Sequence, residues 1–121
     1  MSFVTRKKHL IVFGILVVLL GAYLTYAHYV AAGKYDGFAQ CLTEKKWVMY
    51  GTDWCPHCQK QKAMFGNSFK YITFVNCDLG TACTDAGVQG YPTWGKDGEP
   101  LQEAGVKELS VLSTLSQCPL P

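Results

Sequence analysis

From Leu10 to Ala27 the chain reads LIVFGILVVLLGAYLTYA, 18 positions without a charge. A spanning helix takes about 20 apolar residues at a rise of 1.5 Å each, which Leu10 to Ala32 supplies. Tyr23, Tyr26 and Tyr29 gather at its far end, where amphipathic rings favour the headgroup layer. Arg6, Lys7 and Lys8 precede it, and positive flanks stay on the cytoplasmic side. The pattern predicts a transmembrane signal anchor over 1–32: single-pass in the cell membrane, N-terminus cytoplasmic, the remainder periplasmic or extracellular. The competing reading is a cleaved signal peptide, with Thr25-Tyr26-Ala27 or Val30-Ala31-Ala32 as the peptidase site, although such peptides have apolar cores of only about 7–15 residues. Either way the chain beyond is exported. His9 and His28 read as membrane-boundary residues.

Past the short linker Gly33-Lys34 the pattern breaks into brief elements. Phe38, Ala39 and Leu42 share one side of a helix over Tyr35–Thr43. Trp47–Tyr50 is an apolar strand and Pro56–Phe65 a helix, with Pro56 in the first turn, where a missing N–H costs nothing. Gly66-Asn67 ends that helix. Tyr71–Val75, rich in β-branched and aromatic residues, is a second strand. Thr81–Ala86 is at most a short helix. Pro92–Trp94 and Pro100–Gln102 flank Gly95-Lys96-Asp97-Gly98, a hairpin with an Asp-Gly turn signal. Val106, Leu109, Leu112 and Leu115 form a helical stripe. Strands alternating with helices predict one α/β domain over 33–121, a mixed central sheet with helices on both faces. Trp47 and Trp94 read as core or hairpin packing.

Charge changes this picture little. The formal net charge is +2, but it comes from the N-terminal flank. Without Arg6, Lys7 and Lys8, 8 lysines face 9 acidic residues, so the exported part carries −1. No nucleic-acid or other polyanion partner is implied. Six cysteines in 121 residues point to an oxidising compartment.

Four of them invite pairing. Cys77 and Cys83, at the end of the second strand and in the loop beyond, suit a local structural disulfide; a second redox pair relaying electrons is the alternative. Cys41 and Cys118 bracket the domain, and a bridge there would close a long, stabilising loop; spacing does not show whether they meet.

The remaining two carry the chemistry. Trp54-Cys55-Pro56-His57-Cys58 sits at a strand-to-helix junction. There the first sulfur meets unpaired N–H groups and the positive end of the helix dipole, and both favour thiolate. Cys55 is the expected nucleophile and Cys58 the resolving thiol that closes a redox-active disulfide. His57 can donate to the Cys55 thiolate or sit near it as a cation; a merely solvent-exposed His57 is the bland reading. Trp54 suits an exposed platform beside the sulfurs, and Asp53 a solvated loop acid. A zinc knuckle completed by Cys77 and Cys83 would need the two-residue spacing repeated, and five residues separate that pair, so no metal is expected. Haem attachment is excluded because Gln59, not a histidine, follows Cys58.

From Tyr35 to the C-terminus these residues resemble the thioredoxin superfamily, and the thioredoxin fold is what the resemblance implies. Trp54-Cys55-Pro56-His57-Cys58 and Gly90-Tyr91-Pro92-Thr93 carry it. In that family a cis-proline lies opposite the cysteines and the adjoining backbone pairs with substrate, so Pro92 matches the cis-proline, with Tyr91 and Thr93 as its substrate-binding flanks. Phe38–Lys45, Met49–Lys62 and Val88–Trp94 look more narrowly like the thioredoxin-like domain fused to, or encoded beside, bacterial homologues of vitamin K epoxide reductase. Cys-Pro-His-Cys is also the motif of the bacterial oxidase DsbA. The resemblance implies a protein-disulfide oxidoreductase, monomeric and without a cofactor, that donates disulfides to exported cysteine-containing proteins. A separate quinone-linked membrane enzyme of the vitamin K epoxide reductase (VKOR) or DsbB type would reoxidise it. A membrane-tethered reductase or isomerase is the alternative, and a zinc-binding or redox-inert adaptor a further one. Two departures stand out: Met49 falls where thioredoxin keeps a buried aspartate, and the segment from Cys77 to Gly87 leaves little room for the usual third helix.

Overall fold

The computed structural model describes residues 2–121. Contacts divide them into two compact units, one ending at Ala31 and the other comprising Ala32–Pro121. The first is a single helix, α1 (Ser2–Val30), with no buried residue. Its 29 residues extend about 43 Å, and it is long and apolar enough to cross a membrane.

The second unit runs α2 (Asp36–Glu44), β1 (Trp47–Gly51), α3 (Pro56–Phe65), a 3-10 turn (Gly66–Tyr71), β2 (Thr73–Asn76), α4 (Ala82–Ala86), β3 (Thr93–Lys96), β4 (Glu99–Pro100) and α5 (Leu109–Ser116). The four strands form one mixed sheet in the order β2-β1-β3-β4. β1 pairs parallel with β2, Tyr50 opposite Val75, and antiparallel with β3, Tyr50 opposite Thr93. This is the expected fold class, with element order as read from the pattern.

Phe38, Ala39 and Leu42 of α2 are buried together with Trp47 and Met49 of β1, Phe65 of α3, Trp94 of β3 and Leu109 and Leu112 of α5. The Phe38 and Phe65 rings stack at 5.9 Å, and Trp94 tilts against Phe65 at the same separation. Each such side chain contributes on the order of 1.5–3 kcal/mol by leaving water. Two disulfides fasten the unit. Cys41–Cys118 ties α2 to the residues after α5, and Cys77–Cys83 pins the end of β2 to α4.

Several boundaries shift from the pattern by a residue or more, and three of them do so for a visible reason. The final helix begins at Leu109 rather than Val106 because the side chain of Gln61 captures both the N–H and the C=O of Lys107. The second strand starts at Thr73 rather than Tyr71. Gly66, at φ 55°, leads instead into the 3-10 turn, where Ser68 Oγ accepts from Tyr35 N and Tyr71 O from Thr43 Oγ1. The hairpin turn narrows to Asp97-Gly98, both at positive φ, leaving Gly95 and Lys96 inside β3.

Candidate active site

β1 delivers the chain to the helix start, and Thr52, Asp53 and Trp54 turn it. Cys55 is the N-cap of α3, in extended conformation, with Pro56 in the first turn. A cap residue's side chain faces the free N–H groups of the first turn. Here that side chain is a sulfur, and Cys58 N donates to Cys55 Sγ at 3.3 Å. Cys55 is 5% exposed and Cys58 fully buried, and both are free thiols.

The two sulfurs are driven apart electrostatically. Burial works to raise the Cys55 thiol, but hydrogen bonds from the Cys58 thiol and from the backbone N–H groups of Cys58 and His57 outweigh it, and its pKa is lowered. Cys58 is pushed up to about 11, first by burial and then by its hydrogen bond to Cys55; the Thr52 N–H and the Lys62 charge oppose the rise. The arrangement favours the thiolate form at Cys55 and the protonated form at Cys58, an inequality that suits thiol–disulfide exchange.

Across from them the Tyr91–Pro92 peptide is cis. Cys55 Sγ donates to Tyr91 O at 3.9 Å. Pro92 is fully buried, and its carbonyl accepts from Gly105 N at 2.7 Å. Thr93 is buried too, its hydroxyl donating to Gly90 O at 2.7 Å, so its side chain shapes the proline loop from inside. Trp54 is 65% exposed, meets the half-exposed Tyr91 edge-on at 6.4 Å, and donates from Nε1 to Asp78 at 2.9 Å. Pro56 and His57 are exposed on the helix start; what His57 brings to the Cys55 sulfur is its backbone N–H.

Cys77 and Cys83 are bonded to each other, as are Cys41 and Cys118. The four-sulfur zinc set therefore lacks two of its ligands, and the described residues hold no cluster of three or more metal-ligating groups.

Several residues that shape the site are silent in the pattern. A side chain on Gly51 would begin 2.6 Å from Cys58 Sγ, so the Cys58 thiol packs where only glycine leaves room. Asp53 is largely exposed, as the solvated loop acid expected, and in addition pairs with Lys62 Nζ at 2.7 Å and accepts from Asn76 Nδ2 at 3.0 Å. Gln61 is wholly buried, accepting from Trp94 Nε1 at 3.1 Å and Lys107 N at 2.7 Å. Only the Gly at a strand end before Cys-x-x-Cys offered a signal; long-range partners of polar helix residues leave none.

No family model matches the chain. Over 56 residues it is 45% identical to the thiol-disulfide oxidoreductase LTO1 of Arabidopsis thaliana, a stretch covering 38% of this chain. The chain thus spans about 15% of that relative's length. Among solved structures, a thioredoxin of Fasciola hepatica superposes with TM-score 0.42 at 20% identity, over 64% of this chain and 88% of that one. A thioredoxin variant from Halobacterium salinarum gives 0.45 at 20% identity, over 69% and 82%. The similarity in sequence is thus to a thiol-disulfide oxidoreductase, over a limited stretch.

Proposed function

We propose that this chain is a membrane-anchored protein-disulfide oxidoreductase that donates the Cys55–Cys58 disulfide to exported proteins. The observation that carries the reading is the placement of Cys55 Sγ, capping α3, receiving backbone N–H groups and facing the cis-proline loop. Hydrogen bonds that stabilise the Cys55 thiolate stabilise the reduced state, and a stabilised dithiol makes its disulfide a stronger oxidant. Likeness to LTO1 supports the reaction class.

A substrate thiolate attacks Cys55 Sγ beside the Tyr91–Pro92 peptide, with the exposed Trp54 and Tyr91 rings flanking the approach. The electron pair of the Cys55–Cys58 bond leaves on Cys58 Sγ, which takes a proton from solvent. A second substrate thiolate then attacks the mixed disulfide and releases Cys55 as thiolate. The substrate is oxidised and the chain reduced by two electrons. A quinone-linked membrane enzyme of the VKOR or DsbB type then reoxidises the dithiol, and no bound cofactor enters the exchange. The charges at Arg6, Lys7 and Lys8 support a cytoplasmic N-terminus, with 33–121 outside as the catalytic domain.

The test is transfer to a reduced cysteine-containing protein by the oxidised full chain in detergent. Stoichiometric substrate disulfide should form at the expense of Cys55–Cys58, and Cys55→Ser should abolish it. Transfer that survives Cys55→Ser would refute the reading.

A further inference from the structure

The proposed exchange asks Cys58 to leave as a thiolate, and a fully buried thiol pushed up to about 11 is a poor leaving group. β1 offers Cys58 no carboxylate or amine, since it consists of Trp47, Val48, Met49, Tyr50 and Gly51. A charge does lie close by, in the next turn of the same helix. Lys62 follows Cys58 by four residues, so both stand on one side of α3. Its ammonium rests 3.9 Å from the centre of the Phe74 ring and 5.5 Å from that of Phe69, and only 25% of the side chain is exposed. The Phe74 ring in turn borders Cys58: the point above Gly51 that lies 2.6 Å from Cys58 Sγ lies 3.4 Å from Phe74 Cε2. Asp53 Oδ1 grips the ammonium at 2.7 Å, and Asn76 holds the other carboxylate oxygen at 3.0 Å.

We propose that Lys62 is a positioning residue for the resolving thiol, an ammonium fixed over Phe74 beside Cys58 that stabilises the Cys58 thiolate as it leaves, with Asp53 as the counter-charge that limits its strength. The inference rests on the exchange mechanism above. The groups facing Cys58 fit it. Cys55 lies in the preceding turn, the Thr52 N–H comes from the end of β1, and Lys62 supplies the positive charge among them. Asp53 stands behind Lys62, and from β2 the neighbours are the Phe74 ring and the neutral Asn76 amide. In the donating direction the Cys55–Cys58 bond breaks toward a sulfur that a nearby cation favours. In the return direction the same cation favours the thiolate that must attack.

An ion pair that only fastened the loop to the helix would respond alike to loss of either partner. An electrostatic device responds with opposite signs. In the full chain carrying Cys55→Ser, so that Cys58 is the one free thiol, the Cys58 pKa is read from its Cβ resonance by NMR. Lys62→Gln should raise that pKa by about half a unit and Asp53→Asn should lower it by a similar amount. With Cys55 restored, disulfide donation should slow about twofold in Lys62→Gln, while Lys62→Arg keeps the wild-type rate. Shifts of the same sign in both variants, or none, would overturn the proposal. If Lys62→Gln does not fold, the sign of the Asp53→Asn shift decides alone. Absence of donation by the wild-type chain would refute the exchange reading instead, and the two pKa shifts would still judge Lys62.

Discussion

At the scale of single residues the site is a pair of sulfurs made unequal. The Cys55 thiol is held below its ordinary value of 9.0 and the Cys58 thiol pushed up to about 11. A group whose pKa falls on folding stabilises the fold fully above its unfolded value and loses that contribution as pH drops through the folded value; a raised group does the reverse. The Cys55 contribution therefore grows as pH climbs to 9.0, whereas that of Cys58 is complete below 9.0 and lost as pH rises through about 11. Disulfide sulfurs do not titrate, so urea midpoints of the chain reduced only at Cys55–Cys58, minus those of the oxidised chain, should peak near pH 9, about the unfolded value of both thiols. A difference flat in pH would contradict the shifts. Gly51 offers a steric test. A methyl there begins 2.6 Å from Cys58 Sγ, and overpacking of this kind costs about 1–3 kcal/mol. Gly51→Ala should lower stability in urea by that amount and slow disulfide transfer; unchanged behaviour in both would mean the sulfur has room to move.

At the scale of elements, polar side chains decide where helices start and how they are joined. Gln61 bridges α3 to Trp94 of β3 and to Lys107 ahead of α5. Replacing it by Met strands the Trp94 and Lys107 N–H donors, each worth about 1–3 kcal/mol, so Gln61→Met should lose about 2–6 kcal/mol in urea unfolding. The disulfides divide by loop length. Cys41 and Cys118 are 77 residues apart, Cys77 and Cys83 only 6. Loop-closure entropy assigns about 4.5 kcal/mol to the first and about 2 to the second, so Cys41→Ser with Cys118→Ser should destabilise more than the equivalent change at Cys77 and Cys83. The reverse order would point to a strained or functional role for the longer link. The sequence made the element order and the Cys55–Cys58 junction legible, because Trp47–Tyr50 is an unbroken apolar run, Pro56 opens a helix directly after the first cysteine, and Leu109, Leu112 and Leu115 recur at helical spacing. It did not reveal the start of α5 at Leu109 or the Asp53–Lys62–Asn76 cluster. Both depend on polar partners distant in sequence, and no periodicity encodes a partner.

At the scale of the whole chain, α1 and the unit over Ala32–Pro121 are separate bodies with separate tasks under the proposed function. One carries apolar surface without any buried residue, suited to lipid. The other carries a capped thiol, a cis-proline loop and an exposed Trp54. What joins them functionally is the redox state of Cys55–Cys58, and the central claim is that this pair is a disulfide donor. The most direct measurement is its equilibrium reduction potential, taken on the full chain in detergent with glutathione buffers. Disulfide donation predicts a value more oxidising than thioredoxin, toward the roughly −120 to −180 mV of oxidising folding catalysts. A value at or below about −270 mV would contradict donation and make the chain a reductase, fed with electrons from across the membrane.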